Sequence, residues 1–303
     1  MTAFGLSPRN HRSKAVRPRS RTGDRGVVLI AALWLLVLLG VVASGLIDLA
    51  RSERRIARNI VAEAEVKALA EAAVTQAILV LLDPDLQRRW PLDGTWKIAN
   101  YIGRPIEVAI QDELGRIDLN TASDDLLKGL FRSAGLREIE ADAAVDRVID
   151  WRDGDDLKRL HGAEREDYVE RSRPYSPRNA AFESVEELGQ VLGITPELLR
   201  RIAPALTVFS RRTTIDMTTA PRAALLALPG VDEGQARQIM MARGTSSHSG
   251  LASGGSAPVS ELTERAFSVV ARVEGQGGVR AMRSGVVRFT GDPNRPYWVH
   301  EWR

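Results

Sequence analysis

From Val27 to Ile47 the chain runs for 21 residues without a charged side chain, with Arg25-Gly26 before it and Asp48 after. At about 1.5 Å per residue a helix of that length spans roughly 30 Å, the depth of a bilayer's hydrocarbon layer. A helix on a soluble core carries a polar stripe, and VVLIAALWLLVLLGVVASGLI has none. The run therefore reads as a membrane-spanning helix. A secretory signal peptide is the competing reading, with Ala43 and Gly45 as small residues at a cleavage site. The apolar region of such a peptide is usually shorter than residues 27–42.

Charge on either side predicts an orientation. Residues 1–26 hold seven basic side chains (Arg9, Arg12, Lys14, Arg17, Arg19, Arg21, Arg25) against Asp24 alone, so without this leader the formal charge of +3 becomes −3. That bias places the N-terminus in the cytoplasm and exports the rest. Arg51, Arg54, Arg55 and Arg58 beyond the span, accompanied by Asp48 and Glu53, blunt the asymmetry. The basic character belongs to the leader, which weakens any step from net charge to nucleic acid. At 303 residues the chain is long enough for two domains, and having no cysteine it excludes disulfide frameworks, Cys-ligated zinc, iron–sulfur clusters and thiol nucleophiles.

Residues 50–82 contain neither Gly nor Pro before Asp83-Pro84 and are rich in Ala, Glu, Lys and Arg. Such sequence is strongly helix-forming and predicts one helix of more than 50 residues, apolar at its start and amphipathic later. Ile56, Ile60, Ala64, Ala68 and Ala72, recurring every four residues, are its expected apolar stripe.

Beyond the helix, RPIEVAIQD alternates Ile106, Val108 and Ile110 with Glu107, Ala109 and Gln111, the pattern of a half-buried strand. Residues 112–243 change to Leu- and Ala-containing helical segments separated by Gly or Pro turns. GTSSHSGLASGGS, residues 244–256, is nine-thirteenths Gly or Ser and reads as a flexible loop. After it, SVVARVEG, GVRAMRS, GVVRFTG and YWVHEWR read as strands joined by Gly, Asp, Pro and Asn turns. The expected architecture is α+β: early and late strands in one antiparallel sheet packed on the long helix, with the helical block as an insertion.

The block contains internal echoes. IDLNTA, residues 117–122, precedes a Leu-rich segment ending at Gly135, and IDMTTA, residues 215–220, precedes one ending at Gly230; a third copy keeps Val191-Leu192-Gly193-Ile194 before Pro196. Each resembles a helix-hairpin-helix module, whose phosphate contact needs bare N–H groups at the second helix. Where such turns usually carry a second Gly, this chain has Arg137, Thr195 and Asp232, the last followed by Glu233. Carboxylates there repel phosphate, so packing is the favoured use of the hairpins and nucleic acid is disfavoured.

The acidic stretch Asp150-Trp151-Arg152-Asp153-Gly154-Asp155-Asp156, followed by Gly162-Ala163-Glu164-Arg165-Glu166-Asp167-Tyr168, crowds carboxylates that raise one another's pKa. From residue types alone it is either a solvated loop crossed by ion pairs to Arg152, Lys158, Arg159 and Arg165, or a site for a hard cation such as calcium. It is not an EF-hand, because counting from Asp150 the third place is Arg152 and the twelfth is His161. The four histidines, His11, His161, His248 and His300, have no triad, phosphate-loop or metalloprotease motif around them, so the chain is expected not to be an enzyme.

A basic leader ending in Arg25-Gly26, followed at once by an apolar helix that turns amphipathic, resembles the N-terminus of the type IV pilin and pseudopilin superfamily. The resemblance implies that a prepilin peptidase cuts between Gly26 and Val27 and methylates the new amine. The fifth residue after the cut, normally Glu, is Ala31 here. In the superfamily's assembly scheme that Glu neutralises the N-terminal ammonium of the subunit ahead, and either charge left unpaired among apolar helices is costly. A subunit with Ala31 supplies no carboxylate and suits the tip.

The order IDLNTA, VIDWRDGDD, GAEREDYV, YSPRNAAFESVEELGQVLGI, IDMTTAP and YWVHEW is similar to the protein K family of the type II (general) secretion pathway. The resemblance implies a pilin-like fold with a large inserted helical domain of helix-hairpin-helix-like units. It implies a minor pseudopilin that caps or initiates the pseudopilus for export across the outer membrane, in a tip complex with minor pseudopilins I and J. It also implies contact with the inner membrane and other secretion-machine components, and calcium with Asp153, Asp155, Glu164 and Asp167 as ligands and Asp150 as a ligand or a support behind one. The expected layout is a basic leader over 1–26, the membrane-spanning part of the helix over 27–50, exported helix and first strands over 51–111, inserted helical domain over 112–249 and closing strands over 250–303. A membrane-anchored DNA-binding helix-hairpin-helix protein of a competence apparatus is the main alternative, and a plain anchored periplasmic protein left uncut at Gly26 is the other.

Overall fold

A computed structural model describes residues 24–83, 90–249, 262–292 and 294–303. The leader up to residue 23, Pro84 and residues 250–256 of the Gly/Ser-rich segment lie outside the described residues. The chain divides between Ile60 and Val61 into two units. Helix α1 (Asp24–Leu81) is continuous for 58 residues, in agreement with the expected helix. In the first unit the side chains described on it, Val27 to Leu46 included, are exposed, and the helix is long and apolar enough to cross a membrane.

In the second unit, Val66, Ala70, Ala73, Val74, Ala77, Ile78 and Leu81 are the buried face of α1. This corrects the expected stripe: Ala64 and Ala68 are exposed and Ala72 only half-buried. Strict four-residue spacing drifts about 40° per step around a helix of 3.6 residues per turn, whereas mixed steps of three and four stay on one side. The larger Val, Ile and Leu side chains on that steady face make the contact.

That face packs on an antiparallel sheet of order β1-β2-β5-β6-β7, formed by β1 (Lys97–Tyr101), β2 (Arg104–Asp112), β5 (Ala266–Glu274), β6 (Arg280–Asp292) and β7 (Arg295–Trp302). β2 is the strand expected from its alternation, and β1 ahead of it lies within the stretch expected to hold the first strands, with no residue pattern of its own picked out in the sequence. GVRAMRS and GVVRFTG are one strand, β6, not two. Gly285, read as a turn, lies mid-strand, where a Cβ would stand 3.0 Å from the Trp302 ring. Glycine is needed there for close approach of β7, not for a reversal.

β2 and β5 pair from Glu107–Arg272 to Asp112–Phe267, although more than 150 residues separate Asp112 from Phe267 in sequence. The intervening chain forms the helical block: α2 (Asp124–Ser133), α3 (Glu138–Arg152), α4 (Arg165–Glu170), α5 (Pro196–Ile202), α6 (Arg222–Leu225) and α7 (Glu233–Ser249), with its own hydrophobic core. α7 continues through Gly244–Ser249, which the composition predicted as loop. Once Asp232 caps its first turn, each further residue adds one hydrogen bond without a new nucleation cost.

The two clearest echoes fold alike, and α2 of the first packs against α6 of the second. Asp118 accepts from the Asn120 N–H at 2.8 Å, and Asp216 from the Thr218 N–H at 2.8 Å. β3 (Ile117–Asp118) lies parallel to β4 (Leu206–Thr207), and a Cβ on Gly129 of α2 would fall 2.0 Å from the Ala227 carbonyl beside α6. Gly135, Gly193 and Gly230 close the hairpin turns with φ of 100°, 88° and 78°, which side chains disfavour.

Candidate cation site in the helical block

α3 and α4 hold the two ends of the acidic loop. Trp151, near the end of α3, and Tyr168 of α4 are fully buried with ring centroids 5.9 Å apart; Phe182 stacks on Trp151 at 6.2 Å and Tyr175 meets it edge-on at 6.3 Å. The Tyr168 hydroxyl accepts from the Leu192 N–H at 3.2 Å. Aromatic burial of this kind fixes where the carboxylates between those rings can go.

Asp150 is fully buried and accepts from the backbone N–H of Ala163 at 2.8 Å and of Arg159 at 3.3 Å. It draws the loop back onto α3. Gly162 permits this, since a Cβ there would stand 1.8 Å from Asp150 Oδ2. Asp146, one turn earlier, accepts from Arg159 Nε at 2.9 Å and the His161 N–H at 3.0 Å, and Arg159 also reaches Asp124.

Glu164 stands apart from these bonded acids. It is 8% exposed, and neither carboxylate oxygen has a hydrogen-bond partner; Asp153 Oδ1 and Asn179 Oδ1 are likewise buried without one. Burial first, and then the charges of Asp150, Asp153, Asp156 and Asp155, push the Glu164 carboxyl up to about 7. Burial and Asp155 also raise Asp153, and burial raises Asp150 against its backbone hydrogen bonds. The unpartnered acceptors are all oxygens, two carboxylates and an amide, the donor type a hard cation takes. Among the described residues, no three His, Asp or Glu side chains converge closely enough to hold a metal ion by themselves.

The residues singled out from sequence thus hold different positions. Asp155 is exposed, and one of its oxygens accepts from the Leu157 N–H at 2.9 Å. Asp167 uses one oxygen on Lys158 at 2.5 Å and the other on the Glu164 N–H at 2.9 Å; burial opposes its ionisation, but these bonds hold it below the usual carboxylate range. Asn179 was missed. It adopts a left-handed φ of 51° and donates to the Asp155 carbonyl at 3.1 Å and to Asp156 Oδ1 at 2.8 Å, leaving its own oxygen turned inward. Asparagine tolerates that conformation better than most side chains, and nothing in its neighbours in sequence marks it.

At the hairpin turns the N-termini of the second helices are met by the chain's own side chains. Thr195 accepts from the Leu198 N–H at 3.2 Å, Asp232 from the Gln235 N–H at 2.8 Å, and Glu140 from the Arg137 N–H at 3.0 Å. In α1, Gly26 lies in the first turns, and Val27 and Ala31 are exposed.

A family model described as type II secretion system (T2SS), protein K matches residues 110–211, the stretch from β2 through most of the helical block. The chain is 28% identical over 248 residues to the type II secretion system protein K of Pseudomonas aeruginosa, covering 74% of each chain. It is 25% identical over 206 residues to the putative type II secretion system protein K of Escherichia coli K12, covering 61% of this chain and 62% of that one. Its fold is similar to a chain in the crystal structure of the GspK-GspI-GspJ complex from the enterotoxigenic Escherichia coli type 2 secretion system, with TM-score 0.54 and 15% identity over 83% of this chain and 98% of that one.

Proposed function

We propose that the chain is a minor pseudopilin of the type II secretion system protein K family, a reading that the matched family model, the Pseudomonas aeruginosa relative and the similar fold support, and that it sits at the tip of the pseudopilus, capping or initiating assembly in a complex with minor pseudopilins I and J. The observation that carries this reading is a pairing of two features. Position 31 holds no carboxylate, and a helical block is threaded between adjacent strands β2 and β5. The first removes the group that would neutralise a preceding subunit's ammonium, and the second adds bulk that a repeating subunit would have to accommodate. The partners are proposed from the complex in which the similar fold was crystallised.

In this reading residues 27–47 anchor the subunit in the inner membrane with its N-terminus cytoplasmic and its folded part periplasmic. A prepilin peptidase cuts between Gly26 and Val27, and the same apolar surface later trades lipid for neighbouring subunit helices. Other secretion-machine components then act on the assembled tip. The chain is read as a structural part of the machine, with no catalytic role. DNA binding is the weaker alternative, because the hairpin N–H groups that would hold phosphate are met by Thr195, Asp232 and Glu140.

We also propose calcium in the acidic loop, with Glu164, Asp153 and Asn179 turned toward it and backbone carbonyls completing the oxygen shell. Asp155 remains a candidate ligand, while Asp150 and Asp167 act behind it, the one folding the loop and the other fixing the start of α4. Bound calcium would supply the positive charge that keeps Glu164 and Asp153 ionised. Its role in this reading is structural.

Gold-labelled antibody against the helical block tests the tip assignment on assembled pseudopili. Label confined to one end of each filament is expected; label distributed along the length sinks it. Mass spectrometry of the mature N-terminus, expected to give methylated Val27, checks the processing step.

A further inference from the structure

The four arginines that follow the apolar run are arranged, not scattered. At about 100° per residue, Arg51, Arg54, Arg55 and Arg58 fall within an arc of roughly 100° on α1. All four are exposed. Ile56 and Ile60, also exposed, lie on the opposite side with Glu53, which stands roughly 150° from the centre of the arginine arc. Asp48, the other carboxylate of this stretch, falls about 70° from the centre of the arc, just beyond Arg55, so the arginine side carries four positive charges against one negative.

Height matters as much as angle. Measured from Ile47, Arg51 stands about 6 Å along the axis, Arg54 and Arg55 about 10–12 Å, and Arg58 about 16 Å. The headgroup layer adds roughly 5–7 Å beyond the hydrocarbon on each side. Long side chains on a helix lean toward its N-terminus, here back toward lipid, and basic ones run their stems along apolar surface to reach headgroups. Arg58 stays within about one further screening length, ~8 Å at physiological salt.

We propose that Arg51, Arg54, Arg55 and Arg58 form a docking face for anionic phospholipid headgroups where α1 leaves the bilayer on its C-terminal side. The guanidinium fork matches the phosphodiester oxygens of such lipids. The geometry favours lipid over an acidic neighbouring helix because the arginines continue directly from a run of bilayer length, while the apolar side bearing Ile56 and Ile60 is turned away and left for helix packing. The face holds the subunit at a set depth until it enters a filament, and the hold weakens with salt.

The proposal rests on the membrane-spanning reading of residues 27–47, and the test separates the two. The full chain is reconstituted in phosphatidylcholine bilayers with trace spin-labelled phosphatidylglycerol or spin-labelled phosphatidylcholine, and the fraction of each label immobilised by the protein is read by electron paramagnetic resonance. Each arginine at the surface contributes about five-fold at full contact. The phosphatidylglycerol preference is expected to fall at least three-fold in the combined Arg54→Gln, Arg55→Gln, Arg58→Gln variant, and to survive when the same three become Lys. Wild-type protein in 0.5 M salt is expected to lose preference likewise, a check needing no substitution. A Gln variant with undiminished preference overturns the docking face, since the leader arginines are the same in both proteins. Undiminished lipid preference with lost binding to partner subunits assigns the face to an acidic helix and overturns it too. A chain that fails to float with vesicles overturns the spanning reading itself.

Discussion

Asp112 and Glu164 are both buried carboxylates of the second unit. Asp112, at the end of β2, accepts from the Leu114 N–H at 2.9 Å and pairs with Arg265; its neighbour Glu113 meets Arg116 at 3.0 Å and Ser268. Glu164 has neither a guanidinium nor a hydrogen-bond donor. The first pair closes a joint between the sheet and the helical block, which Gln111 reinforces by donating to the Thr219 carbonyl at 2.9 Å and Arg288 by donating to the Phe209 carbonyl at 2.5 Å. There the chain supplies its own counter-charge to both carboxylates. Around Glu164, Asp153 Oδ1 and Asn179 Oδ1 of the acidic loop it leaves acceptors without donors, the arrangement that an added cation stabilises.

Removing the counter-charge at the joint is the hardest test of the contrast. Arg265→Ala is expected to destabilise the folded unit by about 3–5 kcal/mol, because Asp112 is left buried without its counter-charge. Denaturant titration measures it. Burial already pushes Asp112 up to about 6 despite Arg265, so the variant's loss should be greatest above that pH, where the carboxyl must ionise.

Glu164→Gln tests the other side. A carboxyl raised from about 4.5 when unfolded to about 7 when folded holds its proton longer in the native state, so its contribution to stability falls as pH climbs between those values. In chelator, wild type should lose up to about 3 kcal/mol relative to the Gln variant between pH 5 and pH 8. With calcium the wild type should recover and the variant should not. Equal melting curves for the two proteins at pH 8 in chelator would remove the idea that Glu164 is an unmet charge.

The smallest effect sharpens the comparison within the joint. Ser268→Ala takes one donor from Glu113 but leaves Arg116, so a cost of about 1–2 kcal/mol is expected by thermal unfolding, independent of calcium. A calcium-dependent cost would mean that the two acidic regions are coupled.

Much of the fold was legible in local pattern. An uncharged run of bilayer length, an alternating strand at 104–112 and the paired IDLNTA and IDMTTA motifs each announce a structure through spacing alone. The alternation of β2 nevertheless fails from Ala109 to Asp112, where every residue is buried, because α1 covers one side of the sheet and the helical block meets the other. Gly285 looked like a turn for a related reason. A glycine that makes room for a neighbouring strand and one that reverses the chain are the same letter.

The candidate site was legible only as a crowd of acids. That Asp150 and Asp167 are spoken for while Glu164, Asp153 and Asn179 present unmet oxygens depends on donors from Arg159, Ala163 and Lys158, and on rings at 151, 168 and 182 that set the loop's path. Composition and order determine where the chain is greasy, where it is helical and where its charges cluster, because these follow from side-chain chemistry and from periods of a few residues. Tertiary structure alone decides which buried charge is met and which is left wanting, since a partner's distance in space has no counterpart in its distance along the chain.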